Sequence, residues 1–502
     1  MGNTESCKSI RPIINRACDI GKCTRRIKGH AANSASPTDI WELEMYDGVR
    51  YGQEEIPNQI ILKLYIDNLT PNLKTNIETI YKDMVQENKQ VEDHKELKYE
   101  SDIYNYVIGL FTRANINPYF VRYYGASQNC TFNQLVESVT TGKKIDLRDM
   151  TKLNITVEQF IENLMNNTLY MAVQKENRFS ICNRTPIRDL KPHRQQIWEM
   201  LHPQGDSIKY GMIITEKSNG ETYYDWFPKQ LTTGGRLSDN GWKSILQVLT
   251  ALTALETLEV AHNDLHQKNI FVETLNGGDV LEQFQYNYMN DNDIIAFGIR
   301  SNFRCAIYDW DRAYMEILGK NPLIESSHIC EDFSQCNEYL PQREVTKFLI
   351  YILNYNIHRD DKEIIYRCMM GGNIQEFDQT MVRNNYFLQN IQVQPPKALQ
   401  RYQYERYRIF TPTVVLTNLV SELFKKRQGI IETYNKANGV NTINTNSVIY
   451  DMRRGSVQYK FSRYYQLKDF KQMEIFEDDR KKKIDDMILR LRNLNFKRSL
   501  SN

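Results

Sequence analysis

The sequence predicts an α+β fold of two lobes, a small β-rich N-lobe followed by a larger, mainly helical C-lobe, with insertions. Three observations carry this expectation. Strand-like alternation crowds the first 220 residues, a long apolar helical segment opens the second half, and helical periodicity dominates from residue 312 onward. At 502 residues the chain also exceeds the roughly 250–300 residues that one hydrophobic core usually serves.

In chain order, residues 1–24 form a basic arm and residues 25–220 an N-lobe interrupted by an inserted helical subdomain at about 128–205. A helical C-lobe occupies 221–430 and a C-terminal extension 431–502. Within this frame Ile40–Tyr46 and Gln59–Tyr65 read as strands, the second alternating about Lys63, and 73–89 and 95–113 read as helices. Phe120–Tyr124 and Tyr210–Thr215 are further strands. Ser238 and Asp239 cap a helix over 238–260 that places Trp242, Ile245, Leu249, Leu252 and Leu255 on one buried face. Helices over 343–356 and 412–427 follow, and a charged amphipathic helix starts at Asp478.

Composition narrows the class. With 25% charged and 41% hydrophobic residues and a formal charge of +2, the chain reads as globular, and no nucleic-acid partner is expected. No apolar run approaches the roughly 18–20 residues of a membrane span. The nine cysteines are scattered and odd in number, and neither Cys18/Cys23 nor Cys330/Cys336 has zinc-ligand spacing, so free buried thiols in a reducing cytoplasm are expected. Met1-Gly2-Asn3-Thr4-Glu5-Ser6 fits the myristoylation pattern. Lys8, Arg11, Arg16, Lys22, Arg25, Arg26 and Lys28 would supply the second signal that one acyl chain needs, and Cys7 could carry a palmitoyl group. A membrane surface is therefore an expected partner through Gly2, and a virion is an alternative location.

The most informative passage is Val260-Ala261-His262-Asn263-Asp264-Leu265-His266-Gln267-Lys268-Asn269-Ile270-Phe271-Val272, which follows the long apolar helix and ends in a strand. It resembles the catalytic loop of the protein-kinase superfamily, His-x-Asp-x-x-x-x-Asn. The resemblance implies that Asp264 accepts or orients the proton of an attacking hydroxyl and that Asn269 holds a magnesium ion on the nucleotide phosphates. His262 would brace the loop from behind, and Lys268 would be a catalytic cation. About forty residues on, Arg304-Cys305-Ala306-Ile307-Tyr308-Asp309-Trp310-Asp311 resembles the strand that delivers the second magnesium ligand, here Asp309.

Upstream pieces fall in kinase order. Lys63, inside an apolar strand, matches the phosphate-binding lysine, with Glu100 as its implied partner and Glu96 as the competitor. Asn117–Gly125 looks like the strand after that helix, and Ile213–Glu221 resembles the hinge. There Thr215 would be the gatekeeper, backbone groups of Glu216 and Ser218 would meet the adenine of ATP, and Glu221 would reach the ribose.

The resemblance covers roughly residues 25–355 and departs from the family in four places. Ile27–Ser34 offers only Gly29 where a glycine-rich loop should approach phosphates. Asn263 replaces the Arg that grips a phosphorylated activation loop, no Ala-Pro-Glu follows Asp309, and His266 stands where serine/threonine kinases carry a Lys. Insertion-bearing kinases of this kind resemble those of large cytoplasmic DNA viruses. The leading expectation is an ATP- and Mg2+-dependent protein kinase, serine/threonine by default, with a protein substrate. A small-molecule kinase of the aminoglycoside or choline type shares the His-x-Asp-Leu-His-x-x-Asn loop and an Asp-Trp-Asp/Glu motif and stands as the alternative. A pseudokinase scaffold is the third reading.

Overall fold

A computed structural model describes residues 25–26, 39–44, 49–51, 54–56, 59–68, 96–113, 116–140, 161, 164–165, 168, 194–275, 277–288, 290–325, 336–371, 409–427, 429–437 and 448–452. The chain is mixed α and β, with sheets built mainly of antiparallel pairs. It divides into two compact units, Met1–Ser101 with Arg122–Lys217, and Asp102–Val121 with Ser218–Asn502. The N-terminal arm with Gly2, the Gly29 stretch, helix 73–89 and the helix from Asp478 lie outside the described residues.

The first unit is built on a five-stranded sheet. Its strands are β1 (Arg25–Arg26), β2 (Asp39–Glu44), β5 (Gln59–Asn68), β6 (Tyr123–Thr131) and β7 (Lys209–Glu216), in the order β1-β2-β5-β7-β6. A separate hairpin pairs β3 (Val49–Tyr51) with β4 (Glu54–Ile56). In β5 the period-two pattern buries Ile60, Leu62 and Leu64 and turns Lys63 to the opposite face, between Ile40 of β2 and Ile213 of β7. Helix α1 (Glu96–Ile103) runs through a π turn (Tyr104–Ile108) into α2 (Gly109–Arg113), which accounts for the helix expected over 95–113. Of the expected inserted subdomain, helices α3 (Phe132–Thr140) and α4 (Arg194–Leu201) are described, with Leu135, Ile197 and Leu201 buried.

The second unit is organised around α6 (Asp239–Thr257). Ser238 caps it by accepting from the Gly241 amide, as its position before the apolar run predicts. The helix is buried on every side, including Ser244, Gln247, Thr250 and Thr253. Ser244 and Thr250 satisfy their hydroxyls on the carbonyls of Gly241 and Leu246, while Gln247 donates to the Phe303 carbonyl and accepts from the Cys305 amide. That amide clamp fixes β13 (Phe303–Ile307) to the helix. Strand β10 (Ile270–Thr274) pairs antiparallel with β13 and with β8 (Glu221–Thr222), which leads into the short helix α5 (Tyr223–Trp226). Strand β9 (Val260–Ala261) pairs with β14 (Tyr314–Met315). Helices α7 (Pro322–Glu325), α8 (Pro341–Leu353), α9 (Arg359–Met370) and α10 (Pro412–Lys426) complete the unit.

Four features depart from the sequence expectation. Beside its helices the second unit carries a four-stranded sheet that the sequence did not announce, in which β11 (Val280–Tyr288) and β12 (Asn290–Ser301) form a long hairpin joined by β15 (Thr433–Ala437) and β16 (Val448–Asp451). The hairpin is hard to read because its buried positions include polar residues. Glu282, Gln283 and Gln285 are interior, and Glu282 accepts from the hydroxyls of Tyr119 and Tyr450 at 2.6 and 3.3 Å. Burial pushes the Glu282 carboxyl up to about 7. Since β15 and β16 complete this sheet, the expected extension from 431 is structurally part of the second unit.

The expected boundary at 220 falls at Lys217, and residues 102–121 belong with the second unit. The amide of Val121 donates to the Ile307 carbonyl and that of Ile307 to Tyr119, so Phe120 bridges β13 while β6 starts only at Tyr123. Lastly, Cys130 and Cys336 each take part in a disulfide, against the expectation of free thiols throughout, whereas Cys305 and Cys368 are free and buried. Sequence separation says nothing about which sulfurs meet in space. Among the described residues, no helix is long and apolar enough to cross a membrane.

Candidate active site

The loop between β9 and β10 is held from below by charged residues. His262 is fully buried; its Nδ1 accepts from the Asp264 amide at 3.3 Å, so Nε2 carries the proton and donates to the Tyr308 carbonyl at 2.9 Å. Burial lowers its pKa, which keeps the ring neutral, and Trp310 packs against it at 4.5 Å.

Asn263 is left-handed, with φ 64°, a conformation that Asn tolerates better than most residues. All four of its polar groups are engaged. Its amide donates to Glu344 Oε1 at 3.0 Å, Lys347 Nζ donates to its carbonyl, its Nδ2 donates to the carbonyls of Arg312 and Cys336 at 3.0 Å each, and Arg343 donates to its Oδ1 at 3.4 Å. Three of these partners lie on α8. Burial pulls the Lys347 ammonium down to about 8, against the opposing pull of Glu344 and Asp264.

Asp264 follows directly. Its Oδ2 lies 3.0 Å from Arg312 Nη1 and 3.8 Å from His266 Nε2. Burial alone would raise this carboxyl, but Arg312 above all, with His266 and Lys347, outweighs it and holds it below the usual carboxylate range. The side chain therefore stands as a carboxylate at neutral pH, 15% exposed.

Asn269 ends a 3-10 turn over Gln267–Asn269, which is capped by His266 Nδ1. Its Nδ2 donates to the Asp264 carbonyl at 3.0 Å, which fixes the amide and leaves its oxygen as the group suited to a cation. The Asn269 carbonyl accepts from the Tyr308 amide at 3.1 Å, one residue before Asp309. Asp309 itself is left-handed, with φ 67°. Non-glycine residues with positive φ are uncommon, and the three among the described residues, Glu259, Asn263 and Asp309, all flank this loop or the end of β13.

In the first unit, Lys63 Nζ meets both oxygens of Glu100, at 2.7 and 3.0 Å, with the side chains 12% and 1% exposed. The ion pair expected between β5 and α1 is thus formed with Glu100. Thr215 is buried in β7, and the Glu216 amide is spent on the Arg122 carbonyl while its Oε1 accepts from the Arg122 amide. In the second unit, Ser218 Oγ accepts from the Gly220 amide. Gly220 is required there, because a Cβ would lie 2.1 Å from the Val272 carbonyl oxygen. The half-exposed Glu221 carboxylate pairs with Lys229, which draws it away from the ribose role.

Lys268, expected at the base, instead holds its ammonium over the Tyr224 ring, 5.3 Å from the centroid. The cations at Asp264 are Arg312 and His266. Arg312, Arg343, Glu344 and Lys347 were not anticipated as site residues. For the last three the available signal was the charged triplet Arg343, Glu344 and Lys347 within the apolar helix α8 (Pro341–Leu353), since buried charges on such a helix need partners.

Among the described residues, no group of three or more His, Cys, Asp or Glu could hold a metal by itself. Asn269 and Asp309 offer hard oxygen donors, the kind magnesium takes in company with waters and phosphates. Compared with protein-family models and with curated proteins, the chain matches none.

Proposed function

We propose that this protein is an ATP- and Mg2+-dependent phosphotransferase, a protein kinase acting on serine or threonine hydroxyls. The observation that carries the proposal is the hydrogen-bonded chain from Asp264 through Asn269 to Tyr308, which joins the proposed base to both proposed metal ligands in one rigid piece. In the reaction, Asp264 takes the proton of the acceptor hydroxyl while that oxygen bonds to the γ-phosphorus. The bond from that phosphorus to the β–γ bridging oxygen breaks, and ADP leaves. A magnesium ion held by Asn269 and Asp309 would neutralise charge on the phosphates. Lys63, oriented by Glu100, serves the nucleotide phosphates.

His266 beside Asp264, together with the buried Asp311, supports a second reading, a small-molecule kinase of the aminoglycoside or choline type. Radiolabelled ATP offered with casein, a basic protein, an aminoglycoside and choline separates the two. Under the kinase proposal label passes to protein, and Asp309→Ala lowers transfer about 10³-fold, or about 4 kcal/mol of transition-state stabilisation. An Asp309→Ala variant with wild-type turnover would defeat the proposal.

A further inference from the structure

We propose that Arg312 is the positioning residue for Asp264, in place of Lys268; the inference rests on the phosphotransfer reading above. Its Nη1 bonds Asp264 Oδ2 at 3.0 Å, while the Lys268 ammonium lies over Tyr224. Arg312 is only 20% exposed, and its main chain is pinned on three successive carbonyls. Asn263 Nδ2 holds the carbonyl of Arg312, and the buried Asn321 Nδ2 holds those of Asp311 and Ala313 at 2.9 and 2.8 Å. Asn321 is in turn fixed by the amide of Leu323, which donates to its Oδ1 at 2.9 Å. A surface arginine that pairs by chance has no such scaffold.

The same Asn263 that anchors Arg312 is bonded to α8, so base and guanidinium are referred to one fixed point. Arg312 also lies in the field of Asp311 and Asp309, which together with Asp264 raise its pKa against the opposing effect of burial. It keeps its protons throughout the reaction. Proton transfer runs only from the acceptor hydroxyl to Asp264, as the new bond to phosphorus forms and the bridging bond to ADP breaks. The guanidinium, itself held in place by its scaffold, fixes the position of Asp264 Oδ2 before the acceptor arrives, which a more mobile ammonium does less well.

The experiment compares Arg312→Ala, Arg312→Lys, Lys268→Ala and Asp264→Asn, each with and without added guanidinium chloride in the millimolar range. Transfer to casein and to basic protein is measured alongside Mg-dependent ATP hydrolysis. Arg312→Ala is expected to lower kcat about 10- to 100-fold with KM for ATP nearly constant. Guanidinium should restore part of the rate to Arg312→Ala and none to Asp264→Asn. Arg312→Lys should fall between Arg312→Ala and wild type, and Lys268→Ala should cost less than Arg312→Ala. The inference is overturned by an Arg312→Ala kcat within twofold of wild type, by an effect confined to KM for ATP, or by a loss that neither guanidinium nor lysine relieves. Wild-type protein without transfer or hydrolysis overturns instead the kinase reading itself, which the Asp309→Ala comparison tests independently of Arg312.

Discussion

The loop 262–269 and the stretch 213–221 were both expected to serve one nucleotide, yet they are built on opposite principles. In the loop every recognisable residue is fixed by its side chain: His262 by Tyr308, Asn263 by Arg343 and the Arg312 carbonyl, Asp264 by Arg312, and Asn269 by Asp264. In the hinge-like stretch the roles expected of Glu216 and Ser218 belong to backbone groups. There the Glu216 amide is already engaged by Arg122, and the Glu221 carboxylate by Lys229. A side-chain role restricts residue type and leaves a mark in sequence, whereas a backbone role tolerates almost any residue.

The largest effect expected is in the loop. Asp264→Asn keeps size and hydrogen-bonding capacity but removes the proton acceptor, so kcat should fall about 10³-fold, or about 4 kcal/mol, with the fold intact. Steady-state kinetics beside circular dichroism measures both. A fall of less than tenfold would remove Asp264 from the role of base.

Next comes the Lys63–Glu100 pair, which in the first unit follows the same side-chain logic. Lys63→Met should lower kcat/KM for ATP about 100-fold, and Glu100→Gln by less, because glutamine still offers an oxygen to the ammonium. Truncating one partner of a buried pair also strands the other charge, so Glu100→Ala should cost about 3–5 kcal/mol in stability and Lys63→Met with Glu100→Ala less than the sum. Strict additivity in the double-mutant cycle would show that the pair does not act as a unit.

Much of the first unit's sheet, α6 and the loop were legible because one periodicity or one fixed spacing specifies each. Lys63 stood out as a cation in a strand whose alternate residues Ile60, Leu62 and Leu64 are buried. The β11–β12 hairpin was not legible, since Glu282, Gln283 and Gln285 interrupt its apolar pattern and are satisfied by partners far along the chain, among them Tyr119 and Tyr450. Arg312 and Lys347 were missed for a related reason. Their importance comes from what they reach across 48 and 84 residues, Asp264 and the Asn263 carbonyl, which no local pattern encodes. Lys268 lies over Tyr224 and not at Asp264, because spacing along a loop does not determine where a long side chain goes.

A third effect tests the anchoring of the loop. Asn263→Ala places a Cβ residue that disfavours positive φ at 64° and leaves the carbonyls of Arg312 and Cys336 without their donor. The left-handed penalty is about 1 kcal/mol and each of the two stranded carbonyls about 1–3 kcal/mol, so a stability loss of about 3–7 kcal/mol is expected. Asn263→Gly relieves the backbone penalty but not the lost bonds, and should recover about 1 kcal/mol of it in chemical denaturation. Equal losses in the two variants would show that the backbone conformation at 263 carries no cost.

The smallest effect belongs to the hinge, and it decides whether Glu221 touches nucleotide at all. Its ion pair with Lys229 is solvent-exposed, so the pair is worth at most about 1 kcal/mol and competes only weakly with any incoming hydroxyl. If Glu221 does bind the ribose, Lys229→Ala frees the carboxylate and should lower KM for ATP, by no more than about fivefold, since 1 kcal/mol corresponds to that ratio. Glu221→Ala should raise KM by a similar factor, and Lys229→Ala should have no effect in the Glu221→Ala background. Raised salt screens the exposed pair and should mimic Lys229→Ala in part. A KM for ATP that is indifferent to Lys229 but sensitive to Lys63 would place the ribose contact outside Glu221. The loop would then stand as a region specified by its side chains, and the hinge as one whose sequence is free to drift.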